Sequence, residues 1–232
     1  MPVYNGERFL RESIESVLNQ SFSDFEFIII NDGSKDNSLN IIKEYANKDN
    51  RIKIIDQKNI GVVGALNNGL KRAKGDYIAR MDADDISELN RLEKQLWIIE
   101  KEKAFLCGTW ANIIDENNTL QQNKLNYPPT TWNNIKLYLI RGNPFIHPSV
   151  LFSKKMYDKE KDDIGNLYRN FKHVEDYELW TRLVPKYRSV NIDEYLLKYR
   201  IHDNQITRQT NFSMKVSGIK IRMLGILRLI FY

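Results

Sequence analysis

The segment Met81-Asp82-Ala83-Asp84-Asp85 holds three carboxylates within four positions. It follows the short apolar run Tyr77-Ile78-Ala79 and precedes a helical pattern, so the carboxylates fall at the C-terminal end of an expected strand. Open α/β sheets bind their ligands at such strand ends. Like charges packed this closely repel one another unless something positive sits among them. Oxygen donors in a cluster suit a hard divalent cation, and that cation suits a diphosphate. The chemistry that fits is the holding of a metal-bound phosphorylated ligand. Taken alone, such a cluster is more often a solvated acidic turn capping the next helix.

What changes the balance is an ordered set of further motifs. Pro2-Val3-Tyr4-Asn5 comes first, then Asn31-Asp32-Gly33-Ser34, then the acidic cluster, then Glu175-Asp176, then His202 within Tyr199-Arg200-Ile201-His202-Asp203-Asn204. The stretches Gly61-Val62-Val63-Gly64-Ala65-Leu66-Asn67-Asn68-Gly69 and Ala73-Lys74-Gly75-Asp76-Tyr77 link them. In this order the chain closely resembles glycosyltransferase family 2, whose members have the GT-A fold. The resemblance runs from Met1 to about Thr207. Asn143-Pro144-Phe145-Ile146-His147-Pro148-Ser149-Val150 looks like the acceptor-side loop of a bacterial surface-polysaccharide subgroup.

The resemblance implies a role for each motif. Asp32 matches the Asp that reads the nucleotide base, where a carboxylate accepts the N3–H of uracil; its structural alternative is a helix-capping turn residue. Pro2, Val3 and Tyr4 match the segment lining the nucleoside pocket, or simply end a strand. Asp82 and Asp84 match the family's Asp-x-Asp, the first near the ribose and the second on the metal. Arg80 shares a strand face with Asp82 and either touches the ligand or makes a structural ion pair. His202 matches a histidine that completes the metal site in some members, although a lone histidine is more often structural. Oxygen ligands with one imidazole suit Mn²⁺, with Mg²⁺ as the alternative. Asp176 matches the general base, which must stand opposite the leaving diphosphate and take the acceptor's proton. Glu175 falls on the acceptor side and orients the site. Trp180, one turn later, is either an acceptor platform or core. His147 either contacts the acceptor or supports its loop.

The expected activity is transfer of a single sugar, with inversion, from a nucleotide-diphosphate donor to a hydroxyl of a glycan or glycolipid in bacterial surface polysaccharide synthesis. A UDP-sugar is the favoured donor. The Gln-x-x-Arg-Trp motif and membrane helices of processive synthases are missing, which argues against polymerisation. A sugar-phosphate nucleotidyltransferase would need a Gly-rich phosphate loop near the start. A non-catalytic nucleotide-sugar or membrane-binding module, and a nucleic-acid binder, are rivals from other classes; the latter would show binding that falls steeply with salt.

The elements that must position these residues follow from periodicity. Alternating strand and helix patterns fill the first half, as in βαβ units. Helices are expected over 8–19, 38–46, 90–102, 132–139 and 175–183, and a loop followed by a helix over 61–73. Strands are expected over 25–30, 52–55, 77–81, 105–114 and 150–152, with 196–200 extended and the charge run 158–163 a solvated loop. The fold class is α/β, GT-A (Rossmann-like), with a mixed, mainly parallel sheet flanked by helices and a C-terminal helical extension. A glycosyltransferase domain covers 1–207, with a nucleotide-binding half to about 104 and an acceptor-binding half from 105. A basic amphipathic extension covers 208–232. Little chain precedes Val3, so the first strand is very short or the natural N-terminus lies further upstream.

The chain has 232 residues, of which 42% are apolar, enough for a substantial core. The single Cys107 cannot form an intrachain disulfide, which fits a reducing compartment, and its apolar surroundings suggest a buried side chain. No basic-then-apolar leader and no run near the ~18 apolar residues of a membrane span are seen. The expected location is cytoplasmic, with contact to the inner membrane face as an option. The formal net charge is +5. After Asp203 no acidic residue follows, while Arg208, Lys215, Lys220, Arg222 and Arg228 do, among many apolar residues. Such a tail reads as a helix packed on the domain or as an interfacial membrane helix. Few aromatics accompany its charges, which disfavours nucleic acid.

Overall fold

The computed structural model describes residues 1–121, 127–171, 173–203, 205 and 212–231. Two sheets form its frame. The first holds β1 (Pro2–Val3), β2 (Phe27–Asp32) and β3 (Ile52–Gln57), all parallel, in the order β1-β2-β3. Ile28, Ile29 and Ile30 make β2 β-branched and nearly continuously apolar, as a parallel strand covered on both faces requires. Helices α1 (Leu10–Leu18), α2 (Ser38–Lys48) and α3 (Gly61–Arg72) connect these strands onward. In α1 the buried residues Leu10, Ile14 and Val17 recur at helical spacing and pack with Val3, Ile29 and Ile42. Burying each such aliphatic side chain stabilises the fold by roughly 1.5–3 kcal/mol before entropy.

The second sheet joins β4 (Tyr77–Ala79), β5 (Ile86–Ser87), β6 (Leu106–Ile114), β7 (Leu151–Ser153) and β8 (Ser189–Arg200) in the order β4-β7-β6-β8-β5. Its β6–β8 pair is parallel; its other pairs are antiparallel. The expected α/β class and mixed sheet are therefore present, but the parallel part is confined to the first sheet and one pair of the second. A repeated βα pattern does not say which sheet a strand joins. Here β4 leaves the parallel series because Tyr77–Ala79 pairs with Leu151–Ser153.

Helix α4 (Arg91–Glu102) covers one side of this sheet through Leu92 and Ile99, packed with Cys107, Leu151 and Val190. Cys107 is fully buried, and burial pushes its thiol up to about 12. Helices α5 (Trp132–Tyr138), α6 (Lys154–Glu160), α7 (Glu175–Leu183) and α8 (Phe212–Phe231) lie on the other side, around Trp180, Leu183 and Ile221.

Two elements differ from expectation. The charge run 158–163 begins inside α6, because Ser153 caps that helix and Met156 and Tyr157 bury themselves. The extended segment 196–200 is the end of a twelve-residue strand whose polar middle hides its period. Helix α8 occupies most of the expected extension, although a boundary near 207 lies outside the described residues, as does Arg208. Among the described residues no helix is long and apolar enough to cross a membrane.

Candidate active site

The acidic loop runs from β4 to β5, and three separate parts of the chain hold it. Ser13 of α1 donates its hydroxyl to the carbonyls of Asp82 (2.9 Å) and Asp85 (2.5 Å). Arg200, at the end of β8 and 1% exposed, donates Nε to Asp84 O at 2.7 Å and its backbone N–H to Asp85 Oδ1 at 2.9 Å. The same guanidinium donates to Glu12 Oε2 at 2.7 Å, Asn118 Oδ1 at 2.7 Å and Asp115 O at 3.1 Å. Beneath the loop, buried Arg91 donates to Pro148 O at 2.8 Å and Arg80 O at 3.3 Å. These bonds fix the loop's backbone and leave its carboxylates facing one another.

Asp82, Asp84 and Asp85 bring carboxylate oxygens within 4.8 Å of one another. Two residues past β8, His202 Nε2 lies 3.0 Å from Asp84 Oδ2, with its ring 5.2 Å from that of Phe9. Burial and repulsion from Asp84 raise the Asp82 carboxyl above its usual range, against the pull of Arg80. Asp85 is raised well above that range by burial and by the charges of Asp84 and Asp82. Asp85 Oδ2 and Arg80 Nε are buried with no hydrogen-bond partner among the described residues. Buried polar atoms seldom go unsatisfied, and such orphans mark places where an ion, water or ligand fits. Three mutually repelling carboxylates, an imidazole and an orphaned carboxylate oxygen suit a hard or borderline divalent cation.

Arg80 joins this cluster to a second one. It is buried, pairs with Asp82 Oδ2, and its charge acts on His147, Tyr168, Glu175 and Asp176. Glu175 and Asp176 occupy the first turn of α7, where the helix dipole favours anions. Asp176 Oδ1 accepts the Tyr177 N–H at 2.7 Å, and Oδ2 accepts the Asn143 side-chain amide at 2.6 Å. Burial raises its carboxyl despite those two bonds. Glu175 is raised to about 7, by burial first and by the neighbouring Asp176 second, and its Oε2 is buried without a partner among the described residues.

His147 Nε2 lies 2.8 Å from the Tyr168 hydroxyl, and burial with the nearby Arg80 cation keeps the imidazole neutral, well below its ordinary range. Trp180 is fully buried against Phe145 and His147, with ring centroids at 5.2 and 6.0 Å. It supports the loop from below, and no face of it is free to serve as an acceptor platform. Helical spacing alone could not separate these two roles.

The residues expected to border a nucleoside lie at the ends of β1 and β2. Val3 is buried with Leu10 and Ile14, so its side chain is core and only its backbone can line a pocket. Pro2 is half-buried and Tyr4 is 51% exposed. Asp32 is buried and accepts Gln57 Nε2 (2.8 Å) and Ile60 N–H (3.0 Å) on Oδ1, and Gly61 N–H (2.9 Å) on Oδ2. It thus caps α3, while Oδ2 retains capacity for another donor. Gly33 turns the chain there with φ +72°; a Cβ would stand 2.7 Å from Asn59 N.

Sequence reasoning missed the partners Asn143, Tyr168 and Arg200. For Arg200 the sequence holds a signal: residues 200 and 202 share one side of an extended chain, which places Arg200 beside the motif histidine His202. Tyr168 sits in irregular chain with no period to point to it.

Comparison with known proteins completes this picture. The model of glycosyl transferase family 2 matches residues 1–165. The O-antigen biosynthesis glycosyltransferase WbnJ of Escherichia coli is 37% identical over 207 residues, covering 88% of this chain and 78% of WbnJ. Among solved structures, Staphylococcus aureus TarS 1-349 in complex with UDP-GlcNAc superposes with TM-score 0.76 at 17% identity, over 98% of this chain and 68% of that one. The mannosyltransferase PcManGT of Pyrobaculum calidifontis, in complex with GDP-Man and Mn²⁺, gives 0.70 at 12% identity, over 100% and 63%. These two likenesses show the GT-A fold. With the family model matching residues 1–165 and a relative 37% identical over 78% of its own length, the chain belongs to glycosyltransferase family 2.

Proposed function

We propose that the protein transfers a single sugar from a nucleotide diphosphate, a UDP-sugar in the first instance, to a hydroxyl of a glycan or glycolipid, with inversion at the anomeric carbon. The observation that carries this reading is the pair of acidic clusters around buried Arg80, which pairs with Asp82 in the first and acts by its charge on the second. On one side stand Asp82, Asp84 and His202; on the other stand Glu175 and Asp176. A diphosphate held at the first presents the anomeric carbon to an acceptor activated at the second.

Asp84 and His202 would hold a divalent cation, Mn²⁺ or Mg²⁺, and Asp82 would face the ribose. The chemistry such an ion supplies when bound is neutralisation of the departing diphosphate. Arg80 adds a fixed buried cation beside the phosphates. Asp32 accepts the base N–H on Oδ2, and the backbone of Pro2, Val3 and Tyr4 borders the nucleoside. Asp176 takes the acceptor's hydroxyl proton as that oxygen attacks and the bond to the diphosphate oxygen breaks. Asn143 aims the carboxylate. Glu175 and His147 lie at the acceptor side, where His147, as a neutral imidazole on Tyr168, shapes the loop. The similarity to WbnJ supports a bacterial surface polysaccharide as the product class.

The test is calorimetric titration of UDP, GDP, dTDP and CDP with and without Mn²⁺, for the native protein and Asp84→Asn. UDP-sugars would then be screened for hydrolysis and transfer, and the anomeric configuration of the product read by NMR. Metal-dependent UDP binding that Asp84→Asn abolishes supports the reading. Absence of nucleotide binding by the folded protein rejects it. Turnover left intact by Asp176→Asn would reject the assigned base.

A further inference from the structure

Helix α8 buries one narrow face. Ile221 is fully buried, a Cβ added at Gly225 would stand 3.0 Å from Thr181 Cγ2, and Arg228 donates to Thr181 Oγ1 and, at 3.2 Å, to Glu178 Oε1. At about 100° per residue, Ile219, Met223 and Ile230 point within about 20° of the direction opposite Ile221. They are 58, 63 and 70% exposed. Ile226 and Leu227 widen this stripe. Lys220 and Arg222, both exposed, fall about 80° to either side of its centre. Arg222 also meets the Tyr177 hydroxyl. No acidic residue occurs in the helix.

An apolar stripe edged by cations on both sides, on a helix too charged to span a bilayer, has the form of an interfacial helix. The apolar centre fits the acyl boundary and the flanking cations fit anionic headgroups. A protein partner with an apolar groove would satisfy the stripe, but the charge arrangement selects a flat anionic surface. We infer that the outward face of α8 docks the protein on an anionic lipid membrane, lying in the plane of the interface. This inference is independent of the donor and of the base assignment. It places the catalytic domain where a lipid-linked acceptor would be.

The test is flotation of the full chain with vesicles of phosphatidylcholine alone or mixed with phosphatidylglycerol. Binding is expected on the mixed vesicles, much weaker binding on the neutral ones, and a decline with salt. Ile219→Asn combined with Met223→Asn should abolish it. Lys220→Glu combined with Arg222→Glu should weaken it on the order of 30-fold or more, since each basic residue near such a surface contributes about fivefold. Nucleotide binding unchanged in both variants, with thermal unfolding unchanged in the apolar one and only slightly lowered where Arg222 leaves Tyr177, shows that the fold and donor site are intact. Equal binding to neutral vesicles, indifference to the apolar substitutions, or a dimer in light scattering that Met223→Asn dissolves without any vesicle binding would each overturn the inference. Because nucleotide binding is read separately, loss of the transferase assignment would leave this result interpretable.

Discussion

Asn143 and Asp176, 33 residues apart in sequence, meet through a 2.6 Å hydrogen bond from the Asn143 amide to Asp176 Oδ2. Asn143 in turn accepts the Phe145 N–H at 3.1 Å, so the loop proposed to bound the acceptor also sets the direction of the carboxylate. A base within reach of its proton works only when so oriented.

Asn143→Ala should therefore lower kcat by about 10- to 100-fold with a smaller change in KM for the donor. It should also move the acidic limb of the pH–rate profile upward, because the bond that helps stabilise the ionised Asp176 is lost. Steady-state kinetics across pH checks this; a profile and kcat equal to the native enzyme's would remove the positioning role.

Glu175 makes stability depend on pH. Its folded pKa is about 7 against an ordinary value of 4.5, so the native state binds more protons between those values. Stability contributed by this group is present at low pH and falls as pH rises through about 7. Glu175→Gln should flatten that decline, a difference on the order of 1–3 kcal/mol at pH 8. Denaturant unfolding at pH 5 and 8 reads it; parallel curves for native and variant would show that Glu175 does not titrate there.

Asp84 and His202 should behave as a unit toward metal. Each of Asp84→Asn and His202→Ala should weaken Mn²⁺-dependent nucleotide binding by about 10-fold or more, with the double variant little worse than the weaker single one. Calorimetry of the four proteins settles the matter, and fully additive losses would place the two side chains in separate sites.

Arg200 holds the acidic loop by its backbone. Arg200→Met should cost about 2–3 kcal/mol, because it leaves the Asp84 and Asp115 carbonyls without their donor, while exposed Glu12 loses little. It should also weaken metal binding, since Asp84 loses its backbone restraint. Arg200→Lys should restore little, because a single ammonium cannot reach the acceptors that the guanidinium spans. A stable variant with native metal affinity would falsify the clamp.

Much of this protein was legible in its residues. The isoleucine run of β2, the 3.6-residue period of α1 and the Glu175–Leu183 helix follow from local patterning. The acidic cluster suits metal chemistry by its residue types, whereas the roles of the Glu-Asp pair and of His202 are legible only through the ordered motifs of the family they resemble. Tertiary structure decided the rest. It sent β4 to the second sheet, because pairing between Tyr77–Ala79 and Leu151–Ser153 depends on chain more than seventy residues apart. It made Trp180 core and Val3 core, because burial depends on what packs above a face and not on the face's own sequence. It brought Asn143 to Asp176, Tyr168 to His147 and Arg200 to the acidic loop, contacts that no local period encodes. Residue type limits the chemistry a side chain can perform; distance, burial and neighbouring charge decide which of those chemistries it performs.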